Sequence, residues 1–163
     1  MTVGKFEDAA AALDREQTVQ GLLGATCREL TERLDGRACV ISRIVGDLLV
    51  GLSEYSRSGT QIGQGHEYLI SDYPLTREVI EQGEARCLSR RDPDADVKEA
   101  ALLEKLGFES LLMVCLPAEA SCWGLVEVYG DDGGFGEDDA ALAERIAAHA
   151  GERLAQLEIR RGS

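Results

Sequence analysis

Apolar side chains recur at three- and four-residue steps through residues 1–34, and this spacing predicts an N-terminal helix that starts at about Lys5. The apolar stripe consists of Phe6, Ala10, Leu13, Leu23, Cys27, Leu30 and Leu34. Polar residues and glycines interrupt the stripe, so we expect a break or bend near residues 14–18. The dipeptide Asp35-Gly36 then ends the helix.

Two apolar, β-branched runs follow, Ala38–Val45 and Leu48–Tyr55, with Gly46-Asp47 between them. Runs of this length around a Gly-containing turn predict a β-hairpin. The polar, glycine-rich segment Ser56–Gly65 predicts a loop. This loop has no Gly-Lys-Ser/Thr sequence, which excludes the phosphate-binding P-loop.

Two short helices with a strand between them are predicted in the middle of the chain. Asp72–Gln82 has Pro74 in its first turn, and Asp94–Leu106 begins at an Asp cap. Each of the two segments is followed by a glycine, which favours the end of a helix. Between them, Ala85–Ser89 predicts a short strand.

The strongest local pattern is a pair of apolar runs, Leu111–Leu116 and Trp123–Tyr129, on either side of a short polar turn. Both runs are apolar on each of their two alternating faces, which is typical of strands covered on both sides. A turn at Asp131–Gly136 precedes a long closing helix over residues 137–160. The first residues of this helix are acidic, as helix N-termini favour.

The closing helix carries two apolar stripes. One stripe alternates four- and three-residue steps, which is the spacing of a seam between paired helices. Its members are Ala143, Ala147, Ala150, Leu154 and Leu157. From this spacing we predict a homodimer whose interface contains Ala147, Ala150, Leu154 and Leu157.

Length, charge and apolar runs indicate one acidic domain, residues 1–163, that is able to bury a sizeable aliphatic core. The net charge is −13, and the longest basic clusters are the pairs Arg90-Arg91 and Arg160-Arg161. Such a surface repels phosphates, so we expect no nucleic-acid partner. No apolar run reaches the ~18 residues of a membrane span. Met1–Ala12 lacks the basic region followed by an apolar stretch that a signal peptide has. We therefore expect a cytoplasmic protein with no membrane partner.

Five cysteines and two histidines restrict the available metal and redox chemistry. The cysteines are widely spaced and contain no CxxC pair, whereas a structural zinc site needs about four ligands, usually in close pairs. We expect no metal site. We interpret the cysteines as small buried apolar thiols in a reducing compartment; they are Cys27, Cys39, Cys87, Cys115 and Cys122.

The order of helix, hairpin, loop with short helices, hairpin and long helix resembles that of a GAF domain over nearly the whole chain. The segments that carry the resemblance are Leu75–Glu84, Gly107–Pro117, Trp123–Tyr129 and Phe135. The resemblance implies an α/β (α+β) fold with a six-stranded antiparallel sheet. It further implies terminal helices on one face and, on the other, a small-molecule pocket roofed by the loop and the short helices.

The resemblance also implies which strand residues line the pocket. Strand alternation places one set of residues on a common side, namely Trp123, Leu125, Glu127 and Tyr129. GAF enzymes that reduce free methionine-(R)-sulfoxide carry substrate-binding acids at the positions of Glu127 and Tyr129. By that similarity the candidate ligand-binding residues are Glu127, Tyr129, Leu111, Met113 and Cys115. A covered carboxylate is costly unless it is paired, so Glu127 requires a ligand, a partner such as Arg86, or an open sheet margin.

Motifs of several GAF ligand classes are missing from the sequence. Cyclic-nucleotide-binding relatives share an Asn-Lys-Phe-Asp-Glu motif, and this sequence contains no asparagine. Bilin-binding relatives attach their chromophore through a cysteine that is commonly followed by His, and none of the five cysteines is. A haem ligand would have to be His66 or His149, and we interpret His149 on the closing helix as structural. The cofactor stays unassigned.

The leading hypothesis is a non-catalytic sensory domain that binds an unknown small molecule and signals through the terminal helices of a homodimer. A linked or separate output domain is a further expected partner. Two alternatives remain open. One is reduction of free methionine-(R)-sulfoxide, disfavoured because Leu111 and Tyr129 replace acids of those enzymes and only Cys87 lies in their cysteine region. The other is a ligand-free dimerisation module. Apolar candidates with one acid favour an amphipathic or cationic ligand.

Overall fold

In the described residues, five α-helices and six strands follow one another almost as the hydrophobic pattern predicts. The structure is a computed structural model that describes residues 4–62 and 67–162, without the side chains of residues 160–162. Helices α1 to α5 span Lys5–Asp14, Val19–Arg33, Pro74–Gln82, Val97–Leu106 and Glu137–Gly162. Strands β1 to β6 span Ala38–Val45, Leu48–Ser56, Glu67–Leu69, Arg86–Ser89, Ser110–Ala118 and Ser121–Gly130.

The six strands form one sheet in the order β3-β2-β1-β6-β5-β4, and every neighbouring pair is antiparallel. The predicted α/β (α+β) fold class with a six-stranded antiparallel sheet is therefore confirmed. The hydrophobic pattern does not reveal β3, because three residues are too few for an alternation to show. No helix in residues 4–62 and 67–162 has the length and apolar character needed to cross a membrane.

The N-terminal helical region consists of two helices. Helix α1 ends at Asp14, and α2 begins at Val19, so the chain breaks within the predicted stretch. Thr18 has an extended backbone, and its hydroxyl oxygen accepts a hydrogen bond from the Gly21 N–H at 3.0 Å. This side chain satisfies one of the free N–H groups at the start of α2, which fixes the new helix start.

Two apolar clusters fill the two sides of the sheet. The helix-side core joins α1, α2 and α5 to the sheet, and it includes Leu13, Leu22, Leu30, Leu112, Val128, Ile146 and Leu154. The roof-side core joins α3 and α4 to the opposite face, and it includes Val79, Leu103, Leu111, Met113 and Leu125. The sheet is thus covered on both faces, as the two apolar runs around the β5–β6 turn predict.

The seam that we assigned to a dimer interface lies inside the chain. Its four residues are at most 3% exposed and belong to the helix-side core; they are Ala147, Ala150, Leu154 and Leu157. A stripe repeating every three and four residues suits packing on a sheet as well as packing on a second helix. The prediction that these residues form the interface is therefore wrong, because α2 and the sheet of the same chain cover them.

A glycine allows α5 to approach β5 closely. A Cβ atom at Gly151 would overlap the carbonyl oxygen of Pro117. We therefore expect Gly151→Ala to lower the free energy of unfolding by about 1–3 kcal/mol, because the helix and the strand must separate. Urea denaturation followed by circular dichroism measures this change.

A second helical glycine provides the matched control. A Cβ atom at Gly24 in α2 would lie 3.9 Å from the Ser53 hydroxyl oxygen, which is an ordinary contact. Gly24→Ala should therefore raise the free energy of unfolding by up to about 1 kcal/mol, since alanine favours helices. Equal responses of the two variants would show that close packing of α5 is not what requires Gly151.

The start of β6 departs from the predicted alternation. The register between β5 and β6 shifts between Leu116 and Pro117, which leaves Trp123 as an extra residue on β6. Trp123 therefore packs against the helix-side core, with the Arg43 guanidinium 4.5 Å from its ring centre. The prediction that Trp123 shares the pocket side with Leu125 is wrong, since such a bulge reverses the side on which a residue lies.

Candidate functional site

A small cavity lies between the sheet and the roof helices α3 and α4. Its volume is about 20 Å³ for the centre of a water molecule, which is room for about one water. The described lining contains two carboxyl groups and three phenol groups but no lysine, arginine or histidine. We call it the acidic cavity, lined by Val40, Ser42, Leu49, Ile62, Tyr68, Tyr73, Thr76, Glu99, Leu102, Leu106, Glu127 and Tyr129.

Glu127 reaches the acidic cavity from β6, near the middle of the sheet. It pairs in register with Val40 on β1 and with Met113 on β5. The residue keeps some accessible surface, but its carboxyl group is enclosed by protein. Burial raises the pKa of Glu127 to about 7, the nearby Glu99 charge adds to this rise, and the hydrogen bond from Tyr129 opposes it. This carboxyl group therefore changes its charge near neutral pH.

Glu99 reaches the same cavity from the first turn of α4 and is 2% exposed. Its Oε1 atom accepts hydrogen bonds from the Thr76 hydroxyl at 2.8 Å and from the Thr76 N–H at 3.2 Å. Burial raises the pKa of Glu99, whereas the bonds from Thr76 lower it. Because Thr76 lies on α3, this carboxyl group ties the two roof helices together.

Glu99 is not among the predicted site residues, although one feature of the sequence indicates it. Glu99 lies four and seven residues before Leu103 and Leu106, which places it on the same face of α4. Leu103 is 1% exposed, so that face is turned to the protein interior. An acid in an apolar stripe is unusual enough to indicate a buried polar site.

Aromatic rings supply much of the remaining cavity wall. Tyr129 donates a hydrogen bond to Glu127 Oε2 at 3.2 Å, and its ring stacks on Phe108 with 5.0 Å between ring centres. Burial and the Glu127 carboxyl group raise the pKa of Tyr129. Tyr68 and Tyr73 meet edge to face at 6.2 Å. The pattern did not reveal these two tyrosines, which lie on β3 and in the turn before α3.

The predicted ligand-binding residues divide into two groups. Glu127 and Tyr129 line the acidic cavity, whereas Leu111, Met113 and Cys115 do not. The last three share the roof-side face of the sheet, but they belong to the core that packs against α3 and α4. Helix α3 rests on β5 and covers its side chains, so the sheet residues that line the cavity come from β1, β2, β3 and β6.

Arg86 is not the partner of Glu127. Its guanidinium lies 3.1 Å from a Glu84 oxygen and 3.3 Å from a Glu78 oxygen, and it also bonds to Gln82. Among the described residues no salt bridge includes Glu127. Its charge in the described cavity is therefore not neutralised by a basic side chain.

The cysteines occupy three different environments. Cys115 and Cys122 form a disulfide across the β5–β6 hairpin, with 5.5 Å between their Cα atoms. Cys27 and Cys39 are free and buried, and Cys87 is free and exposed. The interpretation of all five as buried thiols is therefore wrong for three of them. Two cysteines placed seven residues apart around a tight turn were the signal for the pair.

The two histidines are the residues that a haem ligand would have to come from. His149 lies on α5 with its Nε2 atom 2.8 Å from Asp14 Oδ1, and its ring meets Phe6 edge-on. It therefore belongs to the terminal-helix layer and not to the acidic cavity. His66 lies outside the described residues. In the described part of the chain no three His, Cys, Asp or Glu side chains group around a possible metal position.

The family model of the GAF domain matches residues 18–154. A search of curated proteins found no match. The chromophore-binding domain of a Stigmatella aurantiaca bacteriophytochrome is 15% identical with a TM-score of 0.80, over 94% of this chain and 60% of that one.

Two further solved structures have the same fold. The chromophore-binding domain of an unusual bacteriophytochrome from R. palustris is 12% identical with a TM-score of 0.82, over 96% of this chain and 62% of that one. A far-red-absorbing dark state with bound biliverdin IXα is 14% identical with a TM-score of 0.81, over 94% of this chain and 99% of that one. The chain thus spans less than two thirds of the two bacteriophytochrome structures.

Proposed function

The chain belongs to the GAF domain family, and from this membership we propose that it is a non-catalytic sensory domain that binds a small molecule in its acidic cavity. The observation that carries the proposal is the pair of carboxyl groups of Glu99 and Glu127 in a cavity whose described lining has no basic residue. Perturbed ionisable groups in a cavity are typical of functional sites.

The chemistry of the cavity favours a compact organic cation, such as a small amine or a quaternary ammonium ion. A positive ligand would neutralise the carboxylate of Glu127, which burial otherwise disfavours. The faces of aromatic rings attract cations as well, and Tyr68, Tyr73 and Tyr129 line the cavity. The ligand that we propose is thus attracted both by charge and by the rings.

The size of the cavity bears on which ligand enters. A volume of about 20 Å³ for the centre of a water molecule is far below the ~300–1,000 Å³ of sites for drug-sized ligands. This favours a compact cation over a tetrapyrrole. Even a cation of a few atoms requires the lining to open, so we propose that the ligand selects a second arrangement of α3 and α4.

We propose the two terminal helices as the output. Side chains alternate across β5, so that Met113 contacts Thr76 in the roof at 3.4 Å while Leu112 and Val114 pack in the helix-side core. A shift of this strand therefore acts on α5 directly. In this proposal the signalling homodimer forms through outer helix surfaces, such as the one around Ile159, which is 72% exposed. A linked or separate output domain receives the signal from these helices.

We expect the affinity for a small quaternary ammonium ion to rise with pH. Below pH 7 Glu127 is mostly protonated and neutral, and above pH 7 it offers a carboxylate. Binding should therefore be roughly tenfold tighter at pH 8 than at pH 6. Isothermal titration calorimetry measures this, and a quaternary ion excludes titration of the ligand itself.

Two variants make this test specific to the cavity. Glu127→Gln should weaken binding at pH 8 at least about 30-fold and remove its pH dependence, because the ligand loses its counter-charge. Glu152→Gln removes one acid from the exposed face of α5, outside the cavity, and should change neither. A cation that binds Glu127→Gln as well as the unaltered protein rules out this cavity as its site. Native mass spectrometry of the protein as isolated would identify a ligand that copurifies.

The two alternative functions predict different results. A methionine-(R)-sulfoxide reductase needs its thiols beside the acids, but Cys115 and Cys122 line a separate cleft and not the acidic cavity. Turnover of free methionine-(R)-sulfoxide with a dithiol reductant would contradict the non-catalytic proposal. A ligand-free dimerisation module would show no thermal shift with any cation.

A further inference from the structure

A second cleft lies at the C-terminal end of α3, whereas the acidic cavity lies at its N-terminal end. It has a volume of about 770 Å³ for the centre of a water molecule, is open to solvent, and shares no lining residue with the acidic cavity. Its walls are the end of α3, the β5–β6 turn and the outer face of α5. The disulfide between Cys115 and Cys122 forms part of this wall. We call it the disulfide cleft.

The two cysteines of the disulfide differ in their exposure to solvent. Cys115 is 7% exposed and belongs to the roof-side core. Cys122 is half-buried and lies close to the β5–β6 turn. Because exchange requires a thiolate to reach one sulfur of the bond, the structure directs the attack to Cys122 and makes Cys115 the leaving sulfur.

The buried sulfur touches the roof of the acidic cavity. Cys115 Sγ lies 3.5 Å from the carbonyl oxygen of Val79 on α3. In the disulfide this sulfur carries no hydrogen, whereas a Cys115 thiol has an S–H group that is able to donate to that carbonyl. The same helix supplies Thr76, which holds Glu99. Reduction thus adds a donor at the interface between α3 and the sheet.

Charge selects which thiols enter the disulfide cleft. Glu81, Glu119 and Glu144 line it, and the described lining contains no basic residue. A negatively charged thiol is repelled by this wall, whereas a neutral or positive one is not. The effect weakens as salt screens the charges.

We propose that Cys115 and Cys122 form a reversible thiol–disulfide exchange site for neutral or cationic small thiols, and that its redox state changes how α3 packs on the sheet. A thiolate of a small dithiol attacks Cys122 Sγ and forms a mixed disulfide. The bond to Cys115 breaks, and the Cys115 sulfur leaves as a thiolate that takes up a proton. The second thiol of the reductant then displaces Cys122. Two electrons and two protons have passed to the pair, and the reductant has become a cyclic disulfide.

This site is distinct from the three remaining cysteines. Cys27 and Cys39 are buried among the helices and the sheet, and Cys87 is exposed on β4. A Cys87→Ser background removes the exposed thiol. In that background, thiol reagents applied to the folded protein report on Cys115 and Cys122.

The first test counts thiols in the full chain with Cys87→Ser. The untreated protein should show no rapidly reacting thiol. Treatment with dithiothreitol followed by its removal should reveal one rapidly reacting thiol at Cys122 and a slower one at the buried Cys115, both mapped by mass spectrometry. Cysteamine, which is cationic, should open the disulfide at least about fivefold faster than 2-mercaptoethanesulfonate at equal thiolate concentration and low salt, and added salt should shrink that ratio. The proposal is overturned by free thiols in the untreated protein, by a disulfide that resists dithiothreitol, or by a rate ratio that does not change with salt concentration.

The second test asks whether the redox state reaches α3. Hydrogen–deuterium exchange of the α3 amides should change at least about threefold on reduction, while that of α2 stays constant. Cys122→Ser keeps a permanent Cys115 thiol and should match the reduced protein, whereas Cys115→Ala lacks the donor and should not. Identical exchange of α3 in the oxidised and reduced protein refutes the coupling. No ligand is involved, so this result is independent of the cation-binding proposal.

Discussion

Replacing Leu154 with glutamate is expected to unfold the domain and not merely to separate two chains. Leu154 is 0% exposed and packs in the helix-side core between α5 and the sheet. A carboxyl group without a partner in that position should lower the free energy of unfolding by about 4 kcal/mol or more. Such a loss is a large part of the ~5–15 kcal/mol that stabilises a typical domain.

Urea denaturation followed by circular dichroism measures the change, and Ile159→Glu is the matched control on the same helix. Ile159 is 72% exposed, so this variant should change the free energy of unfolding by less than about 0.5 kcal/mol. A stable, folded Leu154→Glu variant with half the molecular mass of the unaltered protein in light scattering would contradict the structure and restore the seam as an interface. A lower mass of Ile159→Glu alone would instead place a homodimer on the outer helix surface.

This pair of variants shows why the seam misled the sequence analysis. Steps of three and four residues reveal which side of a helix is buried, but they do not identify what covers it. Ala150 and Leu154 are covered by their own chain, because α5 packs against both α2 and β5 in the folded domain. Only the topology distinguishes these two outcomes, and topology depends on contacts between residues distant in sequence.

The fold itself could be predicted well, because its elements have strong local signals. The prediction for β1, Ala38–Val45, agrees with the structure at both ends. The helix predicted from Asp94 begins three residues later, at Val97, because the Asp96 carboxylate caps it by accepting from the Lys98 and Glu99 N–H groups. Apolar runs, caps and glycines thus determine most of the elements within a few residues, β3 being the exception.

The acidic cavity could be predicted only in part. Strand alternation places Glu127 and Tyr129 on one side, and the resemblance to GAF domains implies that this side lines the pocket. Tyr68 and Tyr73 join them from β3 and a turn, neither of which shows a periodic pattern, and Glu99 arrives from α4 through packing against α3. A site built across distant segments depends on tertiary contacts, so local patterns identify only those members that share one strand.

Glu127→Gln is expected to stabilise the unliganded domain at high pH and to leave it unchanged at low pH. The carboxyl group has a pKa of about 7 in the folded protein, compared with the ordinary value of 4.5. Because the pKa is raised, the folded state holds this proton more tightly than the unfolded state does. Ionisation therefore adds no penalty below pH 4.5, and the penalty grows through pH 7 to on the order of 3 kcal/mol above it. Glutamine, which never ionises, removes that penalty and still accepts from Tyr129.

The measurement is the difference in unfolding free energy between Glu127→Gln and the unaltered protein, at pH 5 and at pH 8. It should rise by on the order of 3 kcal/mol between the two, whereas Glu144→Gln on the exposed face of α5 controls for the loss of one negative charge. An unchanged difference would mean that Glu127 is well solvated and that the cavity is not acidic in the sense proposed. If a cation supplies the missing counter-charge, saturating ligand should raise the stability of the unaltered protein most at pH 8. A charge that destabilises the empty domain is then retained because the bound ligand compensates for it.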